Sequence, residues 1–100
     1  MPKLYEYFGL IILFYSNEHL PVHVHGKYQH EESKAEIVFV NGLFMDIIIK
    51  DVKGRKPLNN RHLKMFKQLV ELYREDILQK WIDYFVYNKE IISETITKKI

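Results

Sequence analysis

The sequence predicts an α+β fold: an antiparallel β-sheet of four or five strands over residues 3–50, then one long or two shorter C-terminal helices over residues 60–87, packed on one face. Three observations carry this. Asn41-Gly42 sits between two apolar, strand-like runs, the strongest short-range hairpin signal because a type I′ turn needs φ > 0 at both central residues. Leu10 to Tyr15 is a short apolar run with turn residues at both ends. From Leu63 to Phe85 apolar residues recur at steps of three and four, the period of an amphipathic helix.

Taken in order, Lys3 to Phe8 reads as a first short strand, and Gly9 marks a bend before the Leu10–Tyr15 strand. Pro21 opens a third. Its side chains alternate, so Val22, Val24, Gly26 and Tyr28 take one face and His23, His25 and Lys27 the other. The hairpin pairs Ala35–Val40 with Leu43–Lys50. A two-residue turn sets Val40 opposite Leu43, Phe39 opposite Phe44, Val38 opposite Met45 and Ile37 opposite Asp46. One face then carries Ala35, Ile37, Phe39, Phe44, Asp46 and Ile48. The other carries Glu36, Val38, Val40, Leu43, Met45, Ile47 and Ile49. With both faces largely apolar, a homodimer or a small protein partner is expected to cover what the helices do not.

Residues 50–58 form a basic loop with Gly54 and Pro57, and Asn59 or Asn60 is a good N-cap for the helical segment after it. The stripe Leu63, Phe66, Val70, Tyr73, Ile77, Trp81 and Tyr84/Phe85 fits one helix, or two that break near Arg74-Glu75-Asp76. Asp76 and Lys80 make a favourable i, i+4 pair either way. The alternation of Ile92, Glu94 and Ile96 suggests a last short strand or an extended tail.

Composition narrows the function classes. One hundred residues, 47% of them hydrophobic, are expected to form a single domain over residues 1–100. The absence of cysteine excludes disulfides, cysteine zinc sites and thiol nucleophiles. The Leu10–Tyr15 run is far shorter than the about 20 apolar residues of a membrane span, and Glu6 before it makes a poor signal peptide. A cytoplasmic protein with no membrane association is expected. No phosphate-binding glycine loop, GxSxG, HExxH or EF-hand pattern is present.

Two constellations remain. His19, His23 and His25 are three of the five histidines and fall within seven residues. Imidazoles converging from one strand face can ligate a divalent metal such as zinc or act as catalytic acid and base, and Glu18, Glu31 and Glu32 lie close in sequence. The bland alternative is a polar strand face, or rings that hold a turn by hydrogen bonds. The second constellation is electrostatic. Residues 50–67 hold Lys50, Lys53, Arg55, Lys56, Arg61, Lys64 and Lys67 against one acid, Asp51, so 7 − 1 = +6, whereas the whole chain is only +2. Lys53, Arg55, Lys56, Arg61 and Lys64 are the candidate contacts for nucleic acid or another anion, with a solvated loop as the alternative. Asp46 among apolar neighbours either orients a histidine or guards a strand edge. Trp81, Tyr84 and Phe85 read as core.

Met1-Pro2-Lys3-Leu4, Phe8-Gly9-Leu10-Ile11-Ile12 and Asn17-Glu18-His19-Leu20-Pro21-Val22-His23-Val24-His25 together resemble the small bacterial family called domain of unknown function 4160, as does Leu69 to Trp81. That family's signature is His-x-Pro-Pro-His-x-His, and here Val22 stands where the second proline is usual. The resemblance implies that His19, His23 and His25 are hallmark positions. It implies no agreed activity. Family genes often adjoin one for another small protein (domain of unknown function 2442), in an arrangement like a toxin–antitoxin pair. The expected function is therefore a component of such a two-gene module, acting through a protein partner, with nucleic acid as a possible second partner. The alternatives are a metal-binding protein or a small histidine-dependent nuclease that uses His19, His23 and His25.

Overall fold

A computed structural model describes residues 2–17 and 20–100. The elements are β1 (Lys3–Tyr7), β2 (Leu10–Leu13), β3 (His23–Tyr28), β4 (Glu31–Val40), β5 (Leu43–Asp51), α1 (Asn60–Leu72), α2 (Arg74–Phe85) and β6 (Glu94–Ile96). They form a six-stranded sheet in the order β5-β4-β3-β2-β1-β6. Every pairing is antiparallel except β1 with β6, which is parallel. The α+β expectation holds, and the Ile92–Ile96 alternation contributes the edge strand β6.

Tight turns build the meander. Phe8 and Gly9 take φ of 45° and 90°, and Asn41 and Gly42 take 52° and 80°, the left-handed pair that a two-residue hairpin requires. The Asn41-Gly42 register, however, runs as expected for only two pairs. Val40 faces Leu43 and Phe39 faces Phe44, but Val38 then faces Asp46 and Ile37 faces Ile47, with a register shift between Val38 and Phe39. Met45 is the extra residue of a β-bulge. The bulge corrects the expected faces. Ile47 and Ile49 join Ala35, Ile37, Phe39 and Phe44 on the core side, and Asp46 and Ile48 turn outward. A strict period of two would have buried a carboxylate there at the expense of an isoleucine.

The helices cover one sheet face. Phe66, Leu69, Val70, Ile77 and Trp81 are buried in one cluster with Tyr5, Ile12, Phe14, Val24, Ala35 and Ile37. The chain breaks between helices at Tyr73, whose φ of −103° and ψ of 16° end α1, while its N–H still donates to the Leu69 carbonyl. Its ring packs on Tyr5 at 4.9 Å. The expected Asp76–Lys80 pair forms at 2.8 Å, and Lys80 also reaches Glu94 at 3.1 Å, tying α2 to β6. Tyr5 donates to Asp76. Burial first, and then that bond, hold the Tyr5 phenol well above its ordinary pKa. Among the described residues no helix is long and apolar enough to cross a membrane.

Gly26 sets the distance between α1 and the sheet. A Cβ there would lie 2.6 Å from Cδ1 of Phe66, inside any real contact. Gly26→Ala should therefore cost about 1–3 kcal/mol in urea denaturation, the usual range for overpacking. Phe66→Leu in the same chain should recover part of the loss. Unchanged stability would mean that Phe66 does not sit over this strand.

Candidate functional site

The sheet face away from Val24 and Gly26 carries the histidines. His25 pairs across with Leu13 and Lys34, and Lys27 with Glu32, so His25 and Glu32 are diagonal neighbours on one face. Both are nearly inaccessible, at 7% and 1% exposure. His25 Nδ1–H donates to Oε2 of Glu32 at 2.9 Å, and the Tyr15 hydroxyl donates to the same oxygen at 2.9 Å. The Tyr15 ring stands edge-on to His25 at 4.5 Å. The other oxygen, Oε1, is buried without a hydrogen bond, and the Arg55 Nε ion pair with it is long, at 3.6 Å. Glu32 thus joins β2's extension, β3, β4 and the basic loop through one carboxylate.

His23 lies beside this group. Its ring centre is 5.6 Å from that of His25 and 5.3 Å from Trp81. Its Nδ1 is 2.7 Å from the Pro21 carbonyl, which can only accept, so Nδ1 carries the proton. The structure therefore brings together two of the three expected histidines. His19 lies outside the described residues. Among the described residues no group of three His, Asp or Glu side chains comes together to hold a metal.

Glu32 is also where the basic loop is fastened. Its N–H donates to the Lys56 carbonyl at 2.8 Å, and the Leu58 N–H donates to Ser33 Oγ at 3.1 Å. The next contacts hold the start of α1. Asn59 caps it by accepting from the His62 N–H at 2.9 Å, and Glu31 accepts from the Asn59 N–H at 3.2 Å and from His62 Nδ1 at 2.8 Å. His62 also stacks on Tyr28, with ring centres 3.7 Å apart. The His62 hydrogen bond is the main cause that holds the Glu31 carboxyl below its ordinary 4.5.

Of the expected basic contacts, Arg55 is committed to Glu32, while Lys53, Lys56, Arg61 and Lys64 are exposed. Asp46 is exposed and accepts from the Ile47 N–H at 2.8 Å, the edge-guarding alternative. Trp81, Tyr84 and Phe85 pack around Phe14 as core. Sequence reasoning missed Tyr15, His62 and the central place of Glu32. A glutamate at the start of a strand facing a histidine strand was the available signal.

A family model described as Domain of unknown function (DUF4160) matches residues 9–82. No curated protein and no solved structure matches the chain.

Two measurements check the network. Removing one partner of a buried charged pair typically costs about 3–5 kcal/mol, so Glu32→Ala should lose that much in chemical denaturation, and Tyr15→Phe about 1 kcal/mol. Equal stability of all three proteins would refute the network. For Glu31 the folded pKa is lowered, so its contribution is present above the ordinary carboxylate value and is lost as pH falls through the folded value. Glu31→Gln should accordingly flatten the acid limb of the stability profile and leave the alkaline limb unchanged.

Proposed function

We propose that this chain, which belongs to the Domain of unknown function (DUF4160) family, is the partner-binding component of a two-gene, toxin–antitoxin-like module. One observation carries the reading. The outer face of the β4–β5 hairpin carries an apolar strip, interrupted by Asp46, in which Val40, Leu43, Met45 and Ile48 are 49%, 70%, 60% and 42% exposed. Fully burying one such side chain is worth about 1.5–3 kcal/mol, so covering the strip supplies several kcal/mol towards association.

The way the edge is built indicates how a partner meets it. β5 is the outermost strand and nine residues long, yet Asp46 occupies the Ile47 N–H and Lys50 and Asp51 follow. Such charges discourage another strand from extending the sheet. The partner therefore docks on the face, with the apolar side of an amphipathic helix laid across the strip. The two-gene context comes from the family resemblance.

The test is co-expression with the product of the adjoining gene. The two proteins are expected to purify together, and Leu43→Ser with Met45→Lys should weaken their association by at least about tenfold, or 1.4 kcal/mol. Failure to co-purify, or an affinity indifferent to both changes, contradicts the reading. A dimer of this chain alone that the same substitutions dissolve would give the strip to a second copy instead.

A further inference from the structure

The basic stretch lies beside that strip, where Lys67 lines one pocket with Met45 and Asp46. It runs from the loop 52–58 onto the exposed side of α1. Two of its seven cations are used internally: Arg55 pairs with Glu32, and Lys50 with Glu36 at 3.1 Å. The other five (Lys53, Lys56, Arg61, Lys64 and Lys67) are exposed, and among the described residues none makes an ion pair or a side-chain hydrogen bond. Lys64 and Lys67 line the same shallow groove along α1 with Asn60, Leu63, Gln68 and, at its far end, the acid Glu71.

Two features separate this ridge from an ordinary solvated surface. The loop is fastened at several points: Arg55 to Glu32, the Lys56 carbonyl to the Glu32 N–H, the Leu58 N–H to Ser33, and Arg55 N–H to the Val52 carbonyl at 3.0 Å. The cations thus project from a fixed backbone, and less ordering cost remains on binding. In addition, the first turn of α1 carries no acid of its own. It carries Arg61 and is followed by Lys64, where the helix dipole disfavours cations. Glu31 offsets this at the cap alone.

We propose that this ridge binds the phosphate backbone of duplex nucleic acid, without reading bases. Five exposed cations over fifteen residues, of which only Lys56 acts on a neighbouring acid, Glu31, match a regularly charged polymer. The only Phe, Tyr or Trp between residues 52 and 67 is Phe66, which is fully buried, and the neighbouring Tyr28 already has a ring face taken by His62 at 3.7 Å, which disfavours stacking of single-strand bases.

The experiment is fluorescence anisotropy of the full chain with a labelled duplex of about 20 base pairs over a salt series. With five cations engaged, log K should fall against log[salt] with a slope near −4.5. Lys64→Glu with Lys67→Glu should cut the slope by about two and weaken binding at least tenfold, with far-UV circular dichroism and thermal midpoint unchanged. Lys3→Glu with Lys89→Glu makes the same change of net charge on β1 and after α2 and should leave the affinity within about twofold of the parent. Absence of binding at about 50 mM salt overturns the proposal, as does equal weakening by the two charge reversals. Tighter binding to single strands, or to vesicles containing phosphatidylserine, overturns it too.

Discussion

A carboxylate buried in a small sheet must find enough partners to offset its desolvation, and in this protein Glu32 finds them from three directions. Tyr15 and His25 share one of its oxygens at 2.9 Å each, and Arg55 approaches the other. An uncompensated charge at 1% exposure would cost several kcal/mol, so the segments that supply the partners are held where they are. The strand order places His25 diagonally from Glu32. The loop after β5 must then return to β4 to bring Arg55 into reach, and that return delivers Leu58 and Asn59 to the positions from which α1 starts. The histidine strand, the basic loop and the first helix are thus consequences of one buried acid.

Much of the fold was legible because its determinants are local. Asn41-Gly42 names its own turn, the Leu63–Phe85 stripe names a helical layer, and Asn59 was a correct cap. What failed was non-local. The Met45 bulge exists because the core accepts Ile47 and Ile49 and rejects Asp46, a choice that no two-residue turn encodes. The helix break falls at Tyr73 because its ring packs on Tyr5 from the far end of the chain. Within the site, the common face of His23 and His25 followed from strand alternation. The hub did not, since Glu32 looks like any polar strand residue until Arg55, twenty-three residues later, is folded against it.

The two candidate surfaces adjoin on this frame. The apolar strip lies on the outer face of the β4–β5 hairpin, and the unpaired cations lie on the loop and on α1. They meet where Met45 and Asp46 line one pocket with Lys67 and Glu71. His23 and His25 are buried and hydrogen-bonded to the Pro21 carbonyl and to Glu32, and His25 thereby supports the residue that fastens the loop.

If Glu32 is the constraint on which loop and helix depend, its effect should be visible amide by amide. Hydrogen exchange of the native protein and of Glu32→Gln measures this directly. The expected result is that exchange at Leu58, Asn59 and residue 32 accelerates strongly in the variant, while amides of the β1–β2 pair keep their protection. Unchanged protection at Leu58 and Asn59 in a folded Glu32→Gln protein would contradict it, because the loop would then be held without the buried carboxylate.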